Sequence, residues 1–269
     1  MKDDLGNRVR SWIATGYAAV AAYPIVASLV AVAITSAFFL AFPGVDTWIS
    51  HLFHRDEDGF FLRRNDALQW LRNFGYFSGI AIVAWLVFQL VLKLVHPQQQ
   101  SYVPPNVTLF LLSTLIAGPL LLVNAVLKNN WGRPRPRAVD VFGGDSPYVE
   151  VWRISDYCDT NCSFVSGEAS SAFWLVAVAL VLPKPVRYPA TVAAVVFATL
   201  LSLNRIAFGG HFTSDVVISI ALTLLLIAIG YRLFISRPPT WLSGDRLEAS
   251  LTRIGYWLHR RKPPRSSTP

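Results

Sequence analysis

Three short stretches of the chain gather the residue types that handle a phosphate. The first is Lys128-Asn-Asn-Trp-Gly-Arg-Pro-Arg135-Pro136. The second is Ser163-Phe-Val-Ser166-Gly167-Glu168, and the third is Asn204-Arg205-Ile-Ala-Phe-Gly-Gly-His211-Phe-Thr-Ser-Asp215. Lys128, Arg135 and Arg205 can surround an anion, because guanidinium forks match phosphate oxygens and an ammonium adds a point charge. Ser166 and the backbone N–H of Gly167 fall where a helix is expected to begin, and a helix N-terminus offers unpaired donors to an anion. His211 can attack phosphorus and form a phosphohistidine. Asp215 follows four residues later, on the same face if this stretch is helical, and can hold His211 in the useful tautomer. Gly209 and Gly210 allow a tight turn between Arg205 and His211. Arg133 and Arg137 flank Arg135 and read either as further phosphate contacts or as outer-surface charges.

The elements that must position these residues are apolar. Of 269 residues, 53% are hydrophobic and only 15% charged, against about 25% charged in a soluble domain. The mean hydropathy of +0.42 is too high for an ordinary soluble enzyme. The composition excludes a disordered chain, and two cysteines exclude a disulfide-dense scaffold. The net charge is +8. The basic residues lie between apolar runs and in the tail, which favours membrane and phosphate partners over nucleic acid. Six segments approach the roughly 20 apolar residues that a spanning helix needs: 17–42, 74–95, 107–127, 166–182, 189–208 and 215–235. The first reads as an uncleaved helix, and the fourth is short. The expected fold is all-α, with six transmembrane helices in one domain over 1–235. A basic cytoplasmic tail follows over 236–269. Its apolar residues at 247, 251, 254 and 258 are spaced for an amphipathic helix on the inner leaflet.

Lysine and arginine placement sets the orientation. With the N-terminus inside, 14 of the 24 Lys and Arg residues fall on the inner side, most of the excess in the tail. Several of the outer ones belong to the three stretches above. Both termini are therefore expected in the cytoplasm. Spans three and five then leave the membrane on the outer side, where spans four and six begin. All three stretches meet at that one face, although they run from residue 128 to residue 215. One composite site on the periplasmic side is the expectation.

The pattern Lys-x6-Arg-Pro, then Ser-Gly, then Arg-x5-His-x3-Asp resembles the type 2 phosphatidic acid phosphatase superfamily, which also includes vanadium haloperoxidases. Lys128, Arg135 and Pro136 match its first block, Ser166 and Gly167 its second, and Arg205, His211 and Asp215 its third. The resemblance implies hydrolysis of a lipid phosphate without metal or cofactor, through a phosphohistidine on His211. Lys128, Arg135, Ser166, Gly167 and Arg205 would hold the phosphate. Two departures stand out. Asn204 replaces the usual serine beside Arg205. Val165 and Glu168 replace the proline and histidine of the second block. The family histidine protonates the leaving group, and Glu168 can do so only if it is itself protonated. Burial would favour that state and the surrounding cations would oppose it.

Cys158 and Cys162 lie just before Ser166. In an oxidising compartment they can close a disulfide that fixes the approach to the site; free thiols are the alternative. The stretch His51 to Asp58 reads as a polar outer loop rather than a metal site. The expected protein is an integral enzyme of a bacterial inner membrane acting on a lipid phosphate in the bilayer: a lipid A phosphate, a polyprenyl diphosphate, or phosphatidate or phosphatidylglycerol phosphate, of which the resemblance favours the first. A lipid-to-lipid phosphotransferase, or a binding or flipping protein that has lost hydrolysis, are the rivals.

Overall fold

The computed structural model describes residue 20 and residues 22–260. The described residues are helical and contain no β-strand. Eight helices carry the architecture: α1 (Pro24–Ala41), α2 (Gly44–His51), α3 (Asp66–Val95), α4 (Pro105–Asn130), α5 (Gly167–Leu180), α6 (Lys184–Ala207), α7 (Thr213–Ser236) and α8 (Gly244–Leu258). Five of them, α1, α3, α4, α6 and α7, are long and apolar enough to cross a membrane. The fourth expected span is α5, which has only 14 residues. At 1.5 Å per residue it reaches about 21 Å, short of the roughly 30 Å hydrocarbon core. The expected first segment begins at residue 17, and its residues before 20 lie outside the described ones. Pro24 stands at the first position of α1 rather than inside it. Pro119, by contrast, lies within a π-helical stretch over Ile116–Leu127, where it withholds one backbone donor from the ladder.

The packing follows from which faces are apolar. α5 is the central helix, with Ala169, Ala172, Trp174 and Ala177 buried. Small residues let α6 and α7 approach closely. Leu86, Phe110, Leu111, Trp174 and Ile227 join α3, α4, α5 and α7 in one core. Several polar groups inside the bundle pair with one another, as the absence of water there favours. Trp174 Nε1 donates to the Leu111 carbonyl at 3.0 Å, and Ser170 bonds Thr223 at 2.7 Å. The outward faces remain apolar: Ile34, Phe77, Phe88 and Val196 are all exposed. Surfaces of this extent suit acyl chains rather than water.

Two polar ends bound this apolar belt. On α3, Arg72 and Lys93 stand 21 residues apart, or about 32 Å along the helix. Lys93 is buried and pairs with Glu248 of α8 at 2.7 Å, and the Ser101 N–H donates to the same carboxylate. Burial raises the Glu248 carboxyl, but the hydrogen bonds from Lys93 and Ser101 outweigh it and leave the group below its ordinary range. α8 is thereby tied across the Lys93 end. Its Ile254, Trp257 and Leu258 stay exposed. The phosphate-handling residues lie at the Arg72 end.

Candidate active site

Each element ends where its functional residue is needed. α4 runs out at Lys128 to Asn130. α5 begins after Ser166, whose side chain caps the helix by accepting the Ala169 N–H at 3.3 Å. Gly167 is required by close approach: a Cβ there would lie 2.6 Å from Asn124 Oδ1 on α4. α6 ends at Ala207, leaving Arg205 in its last turn. The chain then turns through Gly209, at φ +59°, to His211. Gly210 makes room for the arginine, since a Cβ would come within 2.6 Å of Arg205 Nη2. The guanidinium is thus folded back over the loop that carries His211.

His211 is fully buried. Its Nδ1 lies 2.7 Å from the Ser163 carbonyl oxygen. A carbonyl only accepts, so Nδ1 carries the proton and the lone pair is on Nε2. Burial, together with the positive charges of Arg205, Lys128 and Arg135, holds the imidazole well below its ordinary pKa. At neutral pH the ring is therefore uncharged, with a lone pair on Nε2 that can act as a base or a nucleophile. The same charges show which cations surround it. Arg205 is 4% exposed, yet its Nε and Nη1 make no hydrogen bond. Buried donors are nearly always satisfied. Nη1, which has no partner, and Nε, whose one neighbour is the Glu168 carboxylate at 3.4 Å, leave this guanidinium able to receive an anion.

Asp215 does not touch His211 as the four-residue spacing suggests. One carboxylate oxygen accepts from Ser163 Oγ and the Phe212 N–H, and the other accepts from Arg133. Ser163 also accepts from His211 through its carbonyl. Asp215 is therefore linked to the imidazole through Ser163. The helical geometry is the reason: α7 starts at Thr213, so Asp215 lies within its first turn while His211 lies outside the helix.

Arg133 is neither a phosphate contact nor a surface charge. It is 0% exposed. Its Nε donates to the Val149 carbonyl at 2.8 Å, Nη1 to Ser214 at 2.8 Å and to Asp215, and Nη2 to Asp46 at 2.9 Å. Its guanidinium carbon lies 4.5 Å from the centre of the Phe212 ring. Asp46, at the start of α2, also accepts from the Ser214 N–H at 2.8 Å. This buried triad anchors α2 and α7 behind the loop that carries His211. Arg135, two residues on, turns the other way. Its Nε and Nη2 donate to the Asn161 carbonyl, and Nη2 also to Asn161 Oδ1. Asn161 lies within the loop closed by the Cys158–Cys162 disulfide.

Glu168 has a partner that sequence reasoning missed. Arg72 of α3 grips it with both arms, Nε to Oε2 at 2.8 Å and Nη2 to Oε1 at 2.9 Å. Arg205 Nε approaches Oε1 at 3.4 Å. A forked guanidinium accepting no proton, with a second guanidinium beside it, is the geometry of an ionised carboxylate. Of the two protonation states that the sequence leaves open, the protonated one, in which Glu168 would serve as the acid, does not fit this pairing. Arg72 was detectable in the sequence, because a lone arginine at the edge of an apolar run is costly unless it has work to do. Asp46 carried the same signal after the first apolar run. Asn204 spans to α3 by donating to the Leu68 carbonyl at 2.8 Å.

Lys128, Arg72, Gly167 and Glu168 form the head of a cavity of about 630 Å³. It continues between α3, α4 and α5 past Gly75, Gly79, Ile80, Val83 and Leu120. The charged end meets the phosphate-handling residues, and the remainder is apolar.

A family model described as the PAP2 superfamily matches residues 106–238. A lipid A 4'-phosphatase of Rhizobium leguminosarum is 38% identical over 209 residues, spanning 71% of this chain and 88% of that protein. The lipid A 4'-phosphatase of Rhizobium etli is 35% identical over 212 residues, covering 71% and 80%. That of Francisella tularensis subsp. novicida is 37% identical over 186 residues, covering 67% and 82%. The chain belongs to the PAP2 superfamily. No solved structure matches it. The PAP2 region contains α4 to α7 and hence Lys128, Arg135, Ser166, Gly167, Arg205, His211 and Asp215. Asp46 and Arg72 lie outside it, so elements before the PAP2 region complete the site. Membership and these relatives make the protein a membrane-bound phosphatase.

Proposed function

We infer that this PAP2 phosphatase removes a phosphate from a lipid A-type saccharide lipid, with His211 as nucleophile. The observation that carries the reading is the unprotonated Nε2 of His211 close to the buried Arg205 guanidinium, whose Nη1 has no partner. Lys128, Arg135, Arg205 and the N–H groups at the start of α5 hold the phosphate. Nε2 attacks phosphorus as the bond to the lipid oxygen breaks, that oxygen takes a proton from solvent water, and a further water then hydrolyses the phosphorus–nitrogen bond to release phosphate and restore His211. The proposal needs no metal or cofactor. Asp215 and Ser163 position the imidazole, and Glu168 positions Arg72 and Arg205. The apolar cavity takes part of an acyl chain while the headgroup reaches the cations. The α5 helix, short but flanked by turns, completes a six-span bundle. The bundle sits in a bacterial inner membrane with its site on the periplasmic face and both termini in the cytoplasm. Residues 1–235 form the catalytic domain, and 236–269 form a basic tail whose α8 lies on the inner leaflet.

The purified protein in detergent is expected to release phosphate from a lipid A 4'-phosphate in the presence of a chelator. Faster release from phosphatidate or a polyprenyl diphosphate would overturn the substrate class. The depressed pKa of His211 sets the pH dependence. A base with a lowered pKa keeps its lone pair as the pH falls, so the acid limb of kcat/KM, which reports the free enzyme, is expected well below the ordinary imidazole value of about 6.5. A limb at or above that value would contradict a buried, uncharged His211.

Glu168→Gln separates the two roles of that residue. Loss of a general acid costs about 10²–10⁴-fold in rate. A carboxylate that only arranges two arginines costs less, so kcat is expected to fall by less than about tenfold, with a change in KM. A larger loss, recovered on a substrate whose leaving group needs no proton, would restore the acid role.

A further inference from the structure

A second cationic concavity lies on the same face, outside the catalytic cluster. It has a volume of about 510 Å³ and is lined by Asp58, Gly59, Phe60, Arg63, Arg64, Arg137 and Phe142. Among the described residues, no ion pair engages Arg63, Arg64 or Arg137, and no hydrogen bond occupies their guanidinium groups. Asp58 lines the same hollow but comes within ion-pair distance of none of them. Three arginines against one aspartate leave the hollow positive. Arg137 feels this directly: partial burial, and then repulsion by Arg135, Arg63 and Arg72, lower its pKa although its side chain reaches the surface. Converging like charges cost energy unless an anion joins them.

The hollow is built onto the catalytic loop. Its floor is Phe60 and Phe142, which pack with Phe212, the residue after His211. Phe60 lies directly over Gly209, where an added Cβ would meet its ring at 2.5 Å. The Arg137 backbone N–H donates to the Gly209 carbonyl at 3.3 Å. Arg137 is also only two residues beyond Arg135. The hollow therefore adjoins the loop that carries His211 and the segment that carries Arg135. Arg63 and Arg64 precede the PAP2 region, as Arg72 does.

We propose that the Arg63–Arg64–Arg137 hollow binds a second anionic group, phosphate or carboxylate, on the same saccharide lipid whose phosphate is cleaved at His211. The proposal rests on the phosphatase reading above and adds a specificity site to it. A substrate held at two anionic points is registered so that only one phosphate faces Nε2.

The test compares three disaccharide-headed lipids in neutral detergent. One carries a phosphate on each ring, one carries a carboxymethyl group in place of the second phosphate, and one carries the scissile phosphate alone. The wild type is expected to show a lower KM for one or both doubly anionic lipids, and which of them gains identifies the anion. Arg63→Gln/Arg64→Gln, and separately Arg137→Gln, are expected to raise that KM about threefold or more each. They should leave kcat and the singly phosphorylated lipid unchanged, and high salt should erase the preference. No preference in the wild type, or an equal loss on all three lipids, would overturn the proposal while leaving the phosphatase reading intact. An effect of the variants that appears only when anionic phospholipid is added would assign the hollow to a neighbouring lipid and also overturn it. Failure of the wild type to release phosphate from any of the three would overturn the phosphatase reading and this proposal together.

Discussion

His211→Ala is expected to lower kcat by about 10⁴-fold or more, the scale of losing a covalent nucleophile, while KM changes little. The phosphate contacts proposed for Lys128, Arg135 and Arg205 do not involve the imidazole. The ring makes one hydrogen bond, to the Ser163 carbonyl, so the fold loses little with it. His211→Gln fills more of the same space and can still donate to that carbonyl, and it should be as inactive as the alanine variant. Steady-state phosphate release with thermal melting of both variants checks this. Residual activity within about a hundredfold of wild type would remove His211 from the chemical step.

Arg133→Met is expected to have the largest effect on stability. Removing one partner of a buried ion pair costs about 3–5 kcal/mol, because the remaining charge is left without compensation. Here two carboxylates, Asp46 and Asp215, are 1% and 0% exposed, and both lose their cation. A melting temperature lower by roughly 10 °C is expected in detergent. Arg133→Lys should not rescue it, since an ammonium cannot reach Val149, Ser214, Asp46 and Asp215 from one planar fork. Arg137→Met is the control. It is exposed and unpaired, and its melting temperature should not move. A variant at 133 as stable as the control would contradict the triad's role.

The contrast between residues 133 and 137 shows where sequence reasoning stops. Both are arginines flanking Arg135, and spacing alone gives them the same alternatives. Their fates are decided by partners distant in the chain, Asp46 for one and the hollow beside Phe60 for the other. The phosphate-handling residues were legible because a cation at the end of an apolar run has few inexpensive explanations, and because seven of them recur in one spaced pattern. The helix start at Ser166 was legible for the same local reason: a hydroxyl cap followed by glycine. Asp215 was read one contact too close to His211. Four-residue spacing places two groups on one helix face only if both lie in the helix, and α7 starts after His211. Glu168 could not be settled from sequence, because its protonation depends on Arg72, 96 positions away. The apolar runs gave the helices, but α5 is shorter than its run. Its length is set by the polar residues at its start and by the turn before Lys184.

The most direct test of the account is to quench the enzyme during turnover of a lipid A 4'-phosphate and map phosphate on the protein by mass spectrometry under alkaline conditions, which preserve phosphohistidine. The account predicts a phosphate on Nε2 of His211, absent from His211→Gln and lost on acid treatment. Steady turnover with no phosphorylated His211 at any quench time, or phosphate on another side chain, would contradict it.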